Sequence, residues 1–205
     1  MKQISILLCA VLLFAQLSSA QKKSKQTKKG KTAVTKQKEN PQKGFVVIET
    51  TLGNITIQLN DSAAPKHSAN FRKLAKEGFY DSTTFHRVIP GFMIQGGDPN
   101  SKSADRNTHG MGGPEYRVDA EIGLTHDRGV IAAARQGDQM NPMRQSNGSQ
   151  FYITVAGAKF LDGQYSVFGK VVEGMDVVDK IVTVPRDPRD NPIEKVLIKK
   201  VTVIN

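Results

Sequence analysis

The chain has 205 residues, 38% of them hydrophobic and 23% charged, with 18 glycines and no tryptophan. That composition excludes a collagen-like repeat, a wholly disordered chain and a multi-span membrane protein. The single cysteine, Cys9, excludes an intrachain disulfide framework and any multi-cysteine zinc or iron–sulfur site. The formal charge of +10 suggests an anionic partner until it is located: residues 1–20 contribute +1, residues 21–44 contribute +8, and residues 45–205 only +1. A nucleic-acid-binding role for the whole chain loses its support.

The N-terminus reads as a secretory signal peptide over residues 1–20. Lys2 is the basic start, the run ISILLCAVLLFAQL (4–17) is the apolar segment, and Ser18-Ser19-Ala20 offers a cleavage site after Ala20. An uncleaved anchor is the competing reading, but 14 apolar residues fall short of the ~20 that span a bilayer. Lipid attachment at Cys9 is disfavoured by Leu8 before it and by its place in mid-run. Cleavage leaves a mature chain without cysteine, indifferent to an oxidising compartment. Periplasmic location or secretion is the expectation. Residues 21–44 hold nine lysines and almost no large apolar side chain. They cannot bury enough surface to offset ordering entropy and read as a disordered linker. A solvated spacer is the simpler role, and weak contact with a polyanion or membrane surface the alternative.

Residues 45–205 are long enough for one domain with its own core. FVVIETT (45–51) and ITIQL (55–59) flank Gly53-Asn54, a hairpin signal. Asp61 and Ser62 offer helix caps, Pro65 suits a first turn, and Ala69, Phe71, Leu74 and Ala75 recur at helical spacing before Gly78. Strands are predicted at 84–89, 92–95, 129–134, 150–155 and 167–172, a second short helix at 175–181, and a final strand at 196–204. Many short strands and two helices suggest a closed antiparallel barrel or a sandwich, and the pattern does not choose between them.

Several chemistries are excluded. There is no G-x-S-x-G elbow and no cysteine in the body. His67, His86, His109 and His126 show no metal-ligand spacing and read as structural or surface residues. The clusters Gly96-Gly97-Asp98 and Gly110-Met111-Gly112-Gly113 match neither a P-loop nor a dinucleotide fingerprint, and read as tight turns. The informative stretch is FHRVIPGFMIQGGD (85–98). Arg87 stands in an apolar strand, which is expensive unless its donors are used. Either it pairs with a core carboxylate, or it presents its guanidinium at an apolar pocket.

This stretch resembles the signature of cyclophilins, the cyclosporin-binding class of peptidyl-prolyl isomerases. GVIAAAR (129–135), in a bacterial form, NGSQFYI (147–153), and LDG (161–163) followed by VFGKV (167–171) are similar to further family blocks in the same order. The resemblance covers nearly all of 45–205 and implies a mainly β fold: a closed eight-stranded antiparallel β-barrel with two flanking α-helices. It implies rotation of X-Pro peptide bonds in extended or unfolded segments, with no covalent intermediate, metal, nucleotide or other cofactor.

By correspondence, Arg87 and Gln95 are the catalytic pair, with Arg87 donating toward the prolyl nitrogen and Gln95 holding a peptide carbonyl. Phe92, Met93, Tyr152 and Leu161 line the proline pocket. Ala134, Arg135 and Gln136 flank the peptide, with Gln150, Phe160 and Tyr165 completing the groove. His86 is expected in the core. Tyr152 stands where phenylalanine is commoner, which adds a hydroxyl to the pocket. Phe160 replaces the tryptophan of cyclosporin-sensitive members, which implies weakened cyclosporin binding. Tyr165 replaces a substrate-contacting histidine. The segment 136–146 is a few residues longer than in typical members and borders the expected groove; a tolerated surface insertion is the simpler reading, and a part in substrate choice the alternative. The expectation is a monomeric, exported bacterial isomerase assisting folding in the cell envelope, with proline-containing polypeptides as partners and no specific nucleic acid. The alternative is a proline-peptide-binding chaperone or scaffold with little catalysis.

Overall fold

The computed structural model describes residues 44–204. The leader at 1–20, Cys9 and the linker at 21–44, except Gly44, lie outside the described residues. Eight strands form one antiparallel sheet in the order β3-β4-β6-β5-β7-β2-β1-β8. They are β1 Phe45–Thr50, β2 Gly53–Leu59, β3 Arg87–Ile89, β4 Met93–Gly96, β5 Val130–Ala133, β6 Phe151–Thr154, β7 Val167–Glu173 and β8 Ile198–Ile204. Two helices, α1 Pro65–Lys76 and α2 Met175–Val182, pack against β7 and β8, and against β2, β3 and β4, respectively.

Three local expectations are corrected. The first hairpin turns at Thr51-Leu52, not at Gly53-Asn54, because Gly53 already pairs with Thr50. Its φ of +134° and its approach to the Val177 side chain require glycine at that point. Neither Asp61 nor Ser62 caps α1. The N-cap is Ala64, with no side-chain cap, and the first-turn N–H groups of Lys66 and His67 donate to the Glu121 carboxylate at 2.9 and 3.0 Å. A carboxylate more than fifty residues away thus does the work of a local cap. The strand foreseen at 84–89 is regular only over β3, with Thr84 forming a single bridge to Leu197.

The eight-stranded sheet is curled, and its two edge strands, β3 and β8, share no continuous ladder. The residues just before β3 meet the start of β8 through Ser82 N–H to Ile198 O, Ile198 N–H to Thr83 O, and Phe85 N–H to Val196 O, at 2.8 to 3.0 Å.

Strand alternation sorts side chains onto two faces. The inner face carries Val46, Ile48, Ile55, Ile57, Val88, Ile94, Ile131, Phe151, Ile153 and Ile198, all buried with Phe71 and Leu74 of α1 and Val178 and Ile181 of α2. Phe71, Tyr80, Phe85, Phe151 and Phe168 join in tilted and edge-to-face contacts at centroid distances of 4.9 to 6.1 Å. Each such ring contributes roughly 1.5–3 kcal/mol on burial. A second apolar cluster on the outer face holds Met93, Val130, Ala132, Tyr152 and Val167, with Phe92, Leu161 and Tyr165 half-buried against it. The site lies on this outer face.

Candidate active site

Register brings the polar residues together. Arg87 pairs with Gln95 across β3 and β4, Gln95 with Tyr152 across β4 and β6, and Tyr152 with Ala132 across β6 and β5. Directly opposed residues share a face, so these side chains form one row. Met93, two residues from Gln95, joins them from the same strand. Ten of the sequence-predicted residues line one concavity of about 380 Å³: Arg87, Phe92, Met93, Gln95, Ala134, Arg135, Tyr152, Phe160, Leu161 and Tyr165. Met93 and Tyr152 are buried, whereas Phe160 is 67% exposed at the rim and tilts against Phe92 at 5.5 Å.

The two arginines of this concavity differ. Arg135 is committed: its side chain is 3% exposed, pairs with Asp138 at 2.6 Å, donates to the Gln164 and Gln136 carbonyls, and lies 4.4 Å from the Tyr165 ring centre. Arg87 is exposed and has no hydrogen bond or ion pair among the described residues, where every other arginine has at least one. The alternative of an Arg87 paired with a core carboxylate is thereby corrected: alternation turns it outward, where no carboxylate meets it.

Two predicted groove residues lie elsewhere. Gln150 is buried behind Gln95, accepting from Gln95 Nε2 at 2.9 Å and donating to the Gly110 and Gly112 carbonyls at 3.0 and 2.8 Å. It supports Gln95 and does not line the concavity. Gln136 faces a neighbouring concavity of about 410 Å³ with Arg117, which donates to its Oε1 at 2.9 Å. Ala134 has its backbone N–H and C=O bonded to Gln150 and Asn147. The backbone N–H and C=O of Arg135 have no partner among the described residues, which leaves an open edge beside the pocket.

Sequence reasoning missed the supports beneath this row. Asp98, fully buried, accepts from the N–H groups of Asn100, Gly110 and Gly112, holding the loop whose carbonyls bind Gln150. Gly97, at φ +83°, lets the chain pass where a Cβ would stand 2.4 Å from the Ser149 carbonyl. The glycine pair ahead of Asp98 was the available signal, but a turn was all it implied.

The Tyr152 hydroxyl is not offered to the pocket, which corrects the expectation. It lies 2.9 Å from His126 Nε2, while His126 Nδ1 lies 3.0 Å from Asp162 Oδ1. Burial pushes the Tyr152 phenol up, so it stays protonated and donates. The His126 backbone N–H and ring hold the Asp162 carboxyl below its ordinary value. These partners assign Nδ1–H toward Asp162 and a bare Nε2 toward the phenol. His67 is similarly structural, between Glu121 and Ser146. His86 is buried, as expected, but its two ring nitrogens have no hydrogen-bond partner among the described residues. No group of three or more His, Cys, Asp or Glu among the described residues is arranged to hold a metal.

Residues 45–203 match the model of the family described as cyclophilin type peptidyl-prolyl cis-trans isomerase/CLD. A peptidyl-prolyl cis-trans isomerase-like 1 of Neurospora crassa is 41% identical over 160 residues, covering 78% of this chain and 93% of that protein. A peptidyl-prolyl cis-trans isomerase-like 2 of Rhizopus delemar is 40% identical over 170 residues, which are 30% of its own length. A crystal structure of a Cryptosporidium parvum cyclophilin type isomerase in the presence of the dipeptide Ala-Pro is 35% identical, with a TM-score of 0.69 over 78% of this chain and 98% of that one.

Proposed function

Because the chain belongs to the cyclophilin-type peptidyl-prolyl cis-trans isomerase family, we propose that the concavity around Arg87 is where it rotates X-Pro bonds, with Arg87 as the donor to the prolyl nitrogen. Amide resonance sets a barrier of ~18–20 kcal/mol, and uncatalysed X-Pro exchange takes roughly 10–100 s. In the twisted state the prolyl nitrogen turns pyramidal and regains a lone pair. A guanidinium aimed at it binds that state more strongly than the planar ground state, which is the condition for acceleration. No covalent intermediate is needed.

The observation that carries this is the unpartnered guanidinium of Arg87 beside an apolar pocket. An arginine kept for structure is normally hydrogen-bonded, as Arg135 is. The proline ring would sit against Phe92, Met93, Tyr152 and Leu161. Gln95, held by Gln150, would fix a peptide carbonyl on one side of the bond while the other side turns. The open backbone of Arg135 would pair with the peptide in the manner of an added strand. The Ala-Pro dipeptide used with the Cryptosporidium protein supports a proline-containing ligand.

The test is catalysed cis–trans exchange on an Ala-Pro peptide by the full chain and by Arg87→Ala. Loss of one donor that acts in the transition state lowers kcat/KM about 10²–10³-fold. Thermal stability moves by less than about 0.5 kcal/mol, since Arg87 holds nothing in place. Full activity in Arg87→Ala would remove the arginine from the mechanism. Peptide binding by an inactive wild type would favour a chaperone or scaffold.

We also read 45–205 as the domain, monomeric, with its sheet drawn into a closed barrel by the bonds between 82–85 and 196–198. The signal-like leader at 1–20 and the bacterial form of 129–135 support an exported bacterial member acting on envelope proteins. A mature mass lacking residues 1–20, in protein recovered outside the cytoplasm, tests the export reading. Retention of the leader overturns it.

A further inference from the structure

The segment 136–146 is longer than the family pattern, and its exposed Met140 and Met143 fit a passive surface insertion. Its hydrogen bonds do not. Asp138 takes Arg135 Nη1 on one carboxylate oxygen at 2.6 Å, and Arg144 Nη2 and Nε on the other at 2.9 and 3.2 Å. Both arginines then reach across to the same stretch of the pocket wall. Arg144 Nη1 donates to the Gly163 carbonyl and Arg135 Nε to the Gln164 carbonyl, each at 2.9 Å. The next residue is Tyr165, whose ring lies under the Arg135 guanidinium and meets Tyr152 edge-on at 5.9 Å.

The segment is built to hold this arrangement. Asn141, buried, donates to the Gln145 carbonyl at 2.6 Å and closes its turn. Arg144 adopts φ +53°, a conformation that non-glycine residues avoid. That strain is local, and the bonds of Arg144 to Asp138 and Gly163 accompany it.

We propose that Asp138 is a positioning residue for the isomerase site. Through Arg135 and Arg144 it clamps the 163–165 wall, and so sets how closely Tyr165 approaches the bound peptide. The inserted segment becomes a determinant of substrate affinity and of selectivity for residues beside proline. Asp138 does not itself line the pocket and reaches it only through Arg135, away from Arg87, so the clamp acts on binding and not on the twisting step. This rests on the isomerase reading of the pocket above.

The experiment uses the full chain and an Ala-Pro tetrapeptide with Asp138→Asn, Asp138→Ala and Asp138→Glu. Asp176→Asn, which removes the Lys180–Asp176 pair on α2, is the control. Asp138→Asn is expected to raise KM about tenfold, with kcat within about twofold, as loss of a charged hydrogen bond to a nearly buried guanidinium implies. Asp138→Ala goes further, and Asp138→Glu recovers most of the affinity. Ionic strength should raise KM in wild type more than in Asp138→Asn, since the clamp is partly screened charge. The control stays at wild-type values.

Tyr165 and Tyr152 ring resonances, read by NMR with and without the peptide, report the wall independently of turnover. A kinetically silent Asp138→Ala with unmoved Tyr165 resonances overturns the proposal. So does a fall in kcat at constant KM. A wild type that binds the peptide without isomerising it refutes the catalytic reading instead, while peptide affinity and the Tyr165 resonances still decide the clamp.

Discussion

Replacing Tyr152 by phenylalanine, the residue commoner in this family, should destabilise this chain. The ring and its packing against Tyr165 survive, and the only loss is the hydroxyl that donates to His126 Nε2 at 2.9 Å. His126 is fully buried and stacks nearly parallel to the tyrosine ring, at 11°. Its second nitrogen is committed to Asp162, so the ring cannot turn to seek another partner. A buried acceptor left without its donor costs about 1–3 kcal/mol. For a domain of this size that corresponds to a fall in Tm of roughly 2–12 °C. Differential scanning calorimetry reads the shift. Because Arg87 and Gln95 are untouched, kcat/KM should stay within about threefold.

A double-mutant cycle with His126→Phe isolates the pair. Once both polar ends are gone, Tyr152→Phe should be cheaper by about 1 kcal/mol than in the wild-type background. Asp162 keeps its bond from the backbone N–H of residue 126 at 2.7 Å in either background. A Tm for Tyr152→Phe equal to or above wild type, or independent costs in the cycle, would show that the hydroxyl is not a support of the pocket.

Two further outcomes are expected. Burial pushes His67 and His86 down, His86 to about 4, with Glu121 and Asp98 respectively opposing the shift. Below about 6.5 the unfolded chain binds protons that the folded one does not, for His86 down to about 4. Stability is therefore full above about pH 6.5 and lost as pH falls toward 4, by about 2 kcal/mol for His86 alone at pH 5. Urea midpoints at pH 7 and pH 5 measure this, and a His86→Gln variant with the wild-type slope would show the assignment to be wrong. At the rim, Phe160→Trp should add an indole donor and tighten cyclosporin binding about fivefold, the worth of one net hydrogen bond. Nanomolar inhibition of the unaltered chain would contradict the premise.

What the sequence by itself determined was local. Short apolar, β-branched runs bounded by Gly, Pro, Asn or Asp located each of the strands to within a few residues, because β propensity and turn chemistry act locally. Pro65 and the helical spacing of Phe71, Leu74 and Ala75 located α1, and the 85–98 stretch put Arg87, Met93 and Gln95 close together before any contact was known. Tertiary structure decided the partners. Arg87 is free and Arg135 is locked, although both are arginines beside apolar strands. Gln150 stands behind Gln95 and not beside it. The Tyr152 hydroxyl turns to a histidine 26 positions away, and the start of α1 is satisfied by a carboxylate 54 positions from His67. The physical reason is range. Propensity and periodicity act over a few residues, whereas a buried donor or acceptor takes whichever group the completed fold brings within about 3 Å.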